Sequence, residues 1–447
     1  MKKCQLVSQA PRAVAALIAG LFVAAPAAHA AGFQLSEQSV VSTGRAHAGA
    51  GVVGDDLSAV FYNPAGMSLL KGTSAQFGLS YISLDAPFQN SITGATDNGR
   101  DKPAVVPNTF LVHSLNDQVT LGLGITTPFG LASSYGEEWS GRAKGISSSI
   151  MTIDINPSVA YKLNEMWSFG LGVSAQYQKA KLKKGAAPAG MTSVPAVFLG
   201  QASGELEADD WAFGYNLGVM FSPSADLRIG LSYRSKLDHD AEGDYTFTGG
   251  SQGFARLPNG TLVPVNYGVW NGTYDGSASV TTPDTFLLSA FGRINPQWSL
   301  TGSVRHSNWT TYDVLEIKNA SPVRPGIGAI PSTVIDNQWK ATWMVAAGAD
   351  FQYTPRTTFR AGIGYETSPV PSAQLRSPLI PDTSRLWLSL GASYRIDDKT
   401  TVDFAYAHLR GTGDKTIDSV DAKTGVLKGE YQSLDAFILG AQLQYRF

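Results

Sequence analysis

The sequence predicts an all-β protein, a 14-stranded antiparallel transmembrane β-barrel with an N-terminal segment plugging its lumen. Three observations carry that expectation. The chain opens with an export signal. Segments of alternating apolar and polar residues recur along it. Short polar turns alternate with long irregular loops.

The signal is read first. Lys2, Lys3 and Arg12 give a positive start, and residues 13–23 form an apolar run too short to cross a bilayer comfortably. Ala28-His29-Ala30 places small residues at a cleavage position, so residues 1–30 are expected to be removed and the mature chain to begin Ala31-Gly32-Phe33. The single cysteine, Cys4, leaves with that segment, so no disulfide or thiol chemistry is expected. Loss of the three cations moves the formal charge from −2 to −5, which is no footprint for nucleic acid. The remaining histidines (His47, His113, His239, His306, His408) are scattered without metal-ligand spacing, and neither a metal nor another cofactor is expected.

The strands follow. Mean hydropathy is near zero and no stretch after residue 30 resembles a membrane helix, as expected when apolar and polar residues alternate. At the C-terminus Phe437, Leu439, Ala441, Leu443, Tyr445 and Phe447 share one parity, and Gly440, Gln442, Gln444 and Arg446 the other. Similar stripes begin at Trp167 and Trp211, and a third runs Trp339, Trp343, Val345, Ala347, Ala349, Phe351, Tyr353. Aromatics at the stripe ends and small aliphatics between them suit an apolar band flanked by interfacial girdles.

The connections complete the barrel. Short turns are expected near 116–117, 164–165, 224–226, 295–296, 354–356 and 397–399, and long loops near 86–102, 128–147, 185–207, 248–278, 316–337, 367–383 and 411–429. Thirteen such connections join the 14 strands, the first starting at Ser74. Residues 31–72 lack a greasy period-2 face. They are expected to hang in the periplasm or to fill the lumen of a barrel wide enough to leak.

Several motifs bear on function. Gly49-Ala50-Gly51-Val52-Val53-Gly54 matches a dinucleotide fingerprint, but no strand precedes it, and tight turns are the better use of its glycines. His306-Ser307-Asn308 has residue types of an outer-membrane lipase, yet neighbours on a strand face opposite sides. Asn63-Pro64-Ala65 is a proline turn in a glycine-rich plug and a candidate gate. Pro128 and Gly130 interrupt the third strand, as its end or as a kink that opens the wall sideways. Lys184 shares the parity of Ser174, Gln176 and Gln178 and should face the lumen, whereas Lys179, Lys181 and Lys183 should face out toward lipid and lipopolysaccharide. Val197, Phe198 and Leu199 make an unusually apolar outer loop, read as a loop core or a landing site for a greasy ligand.

Taken in order, Ala31-Gly32-Phe33-Gln34-Leu35, Gly44-Arg45-Ala46, Asp55-Asp56, Asn63-Pro64-Ala65, Asn295-Pro296-Gln297-Trp298, Ser368-Pro369-Val370-Pro371 and Arg385-Leu386-Trp387-Leu388-Ser389 closely resemble the FadL family of outer-membrane long-chain fatty acid transporters. The likeness covers essentially the whole mature chain. It implies a monomeric barrel with an N-terminal hatch, ligand capture at outer loops, an inner site near the mature N-terminus, and lateral exit through a kinked third strand. Under it, Phe33 belongs to the inner site and Lys184 matches a basic position that pairs with the ligand carboxylate. A second basic position aligns near Ile335, where no lysine or arginine stands, although Lys318, Arg324 and Lys340 are candidates from nearby. Relatives that take up aromatic hydrocarbons share the architecture, so that substrate class stays open, and a lipase or a general porin are the readings from other classes.

Overall fold

The computed structural model describes residues 32–99, 103–185, 202–249, 253–256, 261–323, 329–421 and 424–447. The expected signal segment and Val197, Phe198 and Leu199 lie outside them. Among the described residues fourteen wall strands form one antiparallel barrel. They are β1 (Thr73–Asp85), β2 (Ala104–Ser114), β3 in two pieces (Val119–Thr126 and Gly130–Ser134), β4 (Ser147–Lys162), β5 (Trp167–Gly185) and β6 (Ser203–Ser224). Next come β7 (Leu227–Arg234, Leu237–Thr248), β8 (Gly272–Thr282, Thr285–Arg293), β9 (Trp298–Ser307, Val314–Asn319) and β10 (Thr333–Asp336, Thr342–Thr354). The last four are β11 (Thr357–Glu366), β12 (Arg385–Arg395), β13 (Thr400–Gly411) and β14 (Asp435–Arg446). Closure is made by β14 on β1, from Ser74↔Arg446 to Asp85↔Asp435. A closed ladder leaves no edge, which is what backbone groups need where lipid offers no hydrogen bonds.

The parity readings hold along most of the wall. Trp167, Phe169, Leu171 and Val173 are exposed on the outside of β5, and Trp211, Phe213, Tyr215 and Leu217 on β6, while Ala212, Asn216 and Met220 are buried inward. One stripe is corrected. Trp339 shares its parity with Trp343, but only Trp343 faces out; Trp339 is buried in the lumen. β10 is broken between its two pieces, Gln338 takes a left-handed conformation (φ 46°), and the break turns Trp339 inward.

Strands also run further into the expected long loops. The β3 piece Gly130–Ser134, the start of β6 and the pieces Gly272–Thr282 and Thr333–Asp336 are all ladder. Pairing continues there although the greasy alternation has ended, because above the bilayer both faces of a strand can be wet. Four loop strands (Pro87–Asn90, Thr96–Asn98, Thr416–Asp421, Gly425–Tyr431) form a separate sheet whose core contains Phe88, Tyr135, Trp139 and Tyr431.

Residues 32–72 fill the lumen. Helix α1 (Val40–Thr43) is capped by the Ser39 hydroxyl, and its Val40 N–H reaches Gln442 of β14 at 3.1 Å. Helix α2 (Ala59–Tyr62) runs into a 3₁₀ turn, Pro64–Leu69, capped by Asn63 with Pro64 at its start. Gly49, Gly51 and Gly54 all have positive φ, so the fingerprint-like motif is a set of tight turns. An ion network fixes this segment to the wall: Arg45 meets Asp55 at 2.9 Å and Asp350 at 2.8 Å, and Arg360 meets the same two carboxylates. Burial opposes the charge on Arg45, but Asp350 and Asp55 outweigh it and hold the guanidinium protonated. Removing one member of such a network costs roughly 3–5 kcal/mol, because its partners stay buried and charged.

Candidate functional site

The inner segment meets the wall where three strands break. Phe33 is fully buried in a ring of aromatics: Trp309 at 4.7 Å between centroids, Tyr312 at 5.4 Å, Phe129 at 5.9 Å and Trp339 at 6.0 Å, most of them edge-on. Phe129 comes from the β3 interruption, Trp309 and Tyr312 from the turn between the two pieces of β9, and Trp339 from the β10 break. An interrupted strand loses its lumen-and-lipid alternation and can push a large ring inward, which a regular strand cannot do at consecutive positions. Phe33 was expected here; Trp309, Tyr312 and Trp339 were not, and the only hint was an aromatic-rich run, Trp309-Thr310-Thr311-Tyr312, closing a clean strand.

The β3 break leaves a gap. Val119–Thr126 pairs with both β2 and β4, but Gly130–Ser134 pairs only with β4. β2 residues 104–108 pair with β1 and have no ladder partner in β3 among the described residues. Pro107 lies in that stretch, so both strands flanking the gap contain a proline; Pro128 was read from the sequence and Pro107 was missed.

The orphaned backbone of the kink is satisfied from inside. The Gln38 amide donates to Thr127 O (2.7 Å) and accepts from Thr127 N (3.2 Å). Leu35 N donates to Pro128 O at 2.7 Å, and Gly130 N donates to Phe33 O at 2.8 Å. Thr152 Oγ1 takes both the N–H and the C=O of Phe129. Leu35 packs in one apolar cluster with Ala104 and Val106 of β2, so it backs the gap. Residues 33–38 thus act as the strand that β3 lacks.

Asn63, Pro64 and Ala65 seat on the neighbouring wall, on β5 and β6. Asn63 Nδ2 donates to Val219 O at 3.2 Å and Asn63 Oδ1 accepts from Ala65 N at 3.1 Å. They lie against Gly170 of β5 and Gly218 of β6, where an added Cβ would strike Pro64–Ala65 backbone and Asn63 Oδ1 respectively.

Beside the aromatic ring is a narrow, mostly apolar cavity. Ile150, Ala180, Leu182, Leu206, Leu315 and Ile335 are among its walls. Lys184 is half-buried two residues beyond Leu182 on β5, outside this lining. Two of the outward lysines form a ladder with β6: Lys179 meets Glu207 at 2.7 Å, and Lys181 meets Glu207 at 2.8 Å and Glu205 at 3.3 Å, while Lys183 meets Glu137 of the β3–β4 loop at 2.5 Å, so carboxylates of the protein already hold all three. Ser307 faces inward and donates to Gln34 at 2.9 Å, whereas His306 packs on Trp343, so the two stand on opposite faces. No group of three or more potential metal ligands occurs among the described residues.

Buried ionisable groups line the inner segment. Burial pushes the Glu37 carboxyl up to about 7, and both of its oxygens lack a hydrogen-bond partner. Burial pushes His47 down to about 3, with Arg305 and Arg45 adding to the effect.

The profile of the outer membrane protein transport protein family (OMPP1/FadL/TodX) matches residues 21–447. The chain belongs to that family. It is an outer-membrane β-barrel protein of the Gram-negative type. The long-chain fatty acid transport protein of Escherichia coli O6:H1 is 31% identical over 440 residues, covering 94% of this chain and 95% of that one. Outer membrane protein P1 of Haemophilus influenzae is 31% identical over 436 residues, covering 88% and 89%. Among solved structures, a Pseudomonas aeruginosa FadL homologue superposes with a TM-score of 0.79 at 23% identity, covering 93% of this chain and all of that one. The Ralstonia pickettii toluene transporter TbuX gives 0.65 at 20% identity, covering 92% and 98%.

Proposed function

We propose that this member of the FadL family is a passive outer-membrane channel for long-chain fatty acids or related hydrophobic compounds, delivering them sideways into the bilayer through the β3 gap. One observation supports the reading above the others: an apolar cavity and an aromatic ring share one cluster with Phe129 and Leu131 of the interrupted β3, the strand whose break leaves β2 residues 104–108 without a β3 partner among the described residues. In this reading the outer loops, with Val197, Phe198 and Leu199, capture the ligand, and Lys184 meets the acid as it descends. Residues 31–72 are the hatch, with Asn63, Pro64 and Ala65 its seat. Burial of each methylene is worth about 0.8 kcal/mol, which is enough to draw a long chain from water without an energy source. The aromatic surroundings of Phe33 equally suit a small aromatic hydrocarbon, the cargo named for TbuX.

The test is closure of the gap. Pro128→Val with Gly130→Ala restores a ladder donor and a regular strand, and oleate uptake by cells should fall while ligand capture at the surface persists. Wild-type uptake at equal surface abundance would reject the lateral route in favour of a path through the periplasmic mouth.

A further inference from the structure

The cavity beside the aromatic ring has a polar end, and that end is neutral. It is built by the β10 break. Asn337 N and Gln338 N both donate to Asp313 O, at 2.8 and 2.9 Å, which turns residues 337–339 off the ladder and buries the Asn337 side chain on the cavity. The Tyr312 hydroxyl stands beside the Asn337 amide, close enough to interact with it but outside hydrogen-bond geometry, so Asn337 Nδ2 is buried without an acceptor. A second buried donor without an acceptor, Trp309 Nε1, stands in the adjoining aromatic ring.

Buried N–H groups are nearly always paired in folded proteins, and an unpaired one costs free energy until something accepts from it. Here the surroundings are alkyl and aromatic, so the acceptor has to be something that enters the cavity, a water or the oxygen of a ligand that displaces it. The charge around that oxygen decides its chemistry. Among the described lining residues the one cation is Lys181, and its ammonium is held by Glu207 and Glu205. Of the charged residues at the break, Asp336 precedes Asn337 and Asp313 holds its backbone, while Lys340 is exposed and is not among the residues lining the cavity. An ionised carboxylate entering this cavity would lose its water and, among the described lining residues, meet only an ammonium already paired, whereas a neutral oxygen would satisfy the amide at little cost.

We propose that the inner cavity holds an alkyl ligand by a neutral, oxygen-bearing head group, a protonated carboxylic acid or an alcohol, hydrogen-bonded to the Asn337 amide rather than ion-paired. This rests on the reading of the chain as a channel for hydrophobic compounds. It also separates two stations: Lys184 beyond the cavity can meet a charged acid, and the cavity takes its neutral form.

The test is a binding series on the full-length mature protein in nanodiscs, read by calorimetry, with an alkane, an alcohol, a fatty acid and an alkyl sulfonate of equal chain length. The sulfonate stays charged at every working pH. The alcohol should bind about tenfold more tightly than the sulfonate, the preference expected when one buried donor is satisfied and no charge is desolvated. Asn337→Leu should erase the advantage of the alcohol over the alkane. Asn337→Lys should reverse the order in favour of the sulfonate. Equal or tighter sulfonate binding by the wild-type protein overturns the inference without needing any variant to fold, as does an equal loss of alkane and alcohol in Asn337→Leu. Failure of every compound to bind, the alkane included, overturns the channel reading and this inference with it.

Discussion

Gln38 is the smallest handle on the β3 gap. Its amide makes two hydrogen bonds to the backbone of Thr127, one in each direction, and both residues are buried. Gln38→Leu keeps the volume and removes both bonds, together with a longer one to Leu35 O at 3.3 Å, leaving the buried N–H and C=O of Thr127 unpaired. Each such group costs about 1–3 kcal/mol, so the closed kink should lose about 2–6 kcal/mol relative to an open one. At about 1.4 kcal/mol per decade, that raises the open population by roughly 30-fold at the least and by about 20,000-fold at the upper end. The two remaining bonds, Leu35 N to Pro128 O and Gly130 N to Phe33 O, still tether the segment, so the barrel should assemble normally. Hydrogen exchange of the purified protein, read by mass spectrometry on peptides spanning 124–131, measures the opening directly. Exchange there should accelerate by that factor while peptides from β12 and β13 stay unchanged, and oleate uptake below saturation should rise. Unchanged exchange at 124–131 would refute the idea that the inner segment holds the kink shut.

The other expectations concern the hatch seat, a buried acid and a lysine. Gly218→Ala places a Cβ against Asn63 Oδ1 and should unseat Asn63-Pro64-Ala65 at a cost of about 1–3 kcal/mol, seen as raised ion conductance in planar bilayers; Gly292→Ala, with open space at its Cβ, should conduct like wild type, and equal conductance of the two would discount the seat. Glu37 is held protonated by burial, with its pKa moved from 4.5 to about 7, so its contribution to stability is fully present below pH 4.5 and is lost as the pH rises through about 7. That shift corresponds to roughly 3 kcal/mol. Thermal unfolding in detergent should therefore occur at a lower temperature at pH 8 than at pH 5, and Glu37→Gln should flatten that difference; an unaltered pH slope would exclude Glu37 as its source. Lys184→Ala should slow uptake of a fatty acid at neutral pH and leave that of a neutral alkane of equal length intact, and an equal loss for both would reject an electrostatic role.

Much of the barrel could be read from the chain because lipid and lumen impose opposite demands on alternate residues. Trp211, Phe213, Tyr215 and Leu217 against Ala212, Gly214, Asn216 and Gly218 leave one answer for β6. The same local chemistry made the turns legible, since Asn164, Asn295 and Asp397 each accept backbone N–H groups two and three residues on. Phe33, Asn63-Pro64-Ala65 and Pro128 were also visible, the first two through family likeness and the last because proline lacks a ladder donor.

What the sequence by itself determined was therefore the wall: its strand count, its two faces and the presence of a segment that cannot belong to it. What only the tertiary structure decided was the site. Trp339 carries a lipid-facing parity and lies in the lumen, because a single left-handed residue, Gln338, turns the chain after the ladder has stopped. Trp309, Tyr312 and Asn337 gain their roles from breaks in β9 and β10, and Gln38 gains its role from Thr127, 89 residues away. Periodicity reports what each residue faces so long as the ladder runs. Where it breaks, neighbours distant in sequence supply the missing hydrogen bonds, and no local pattern encodes them.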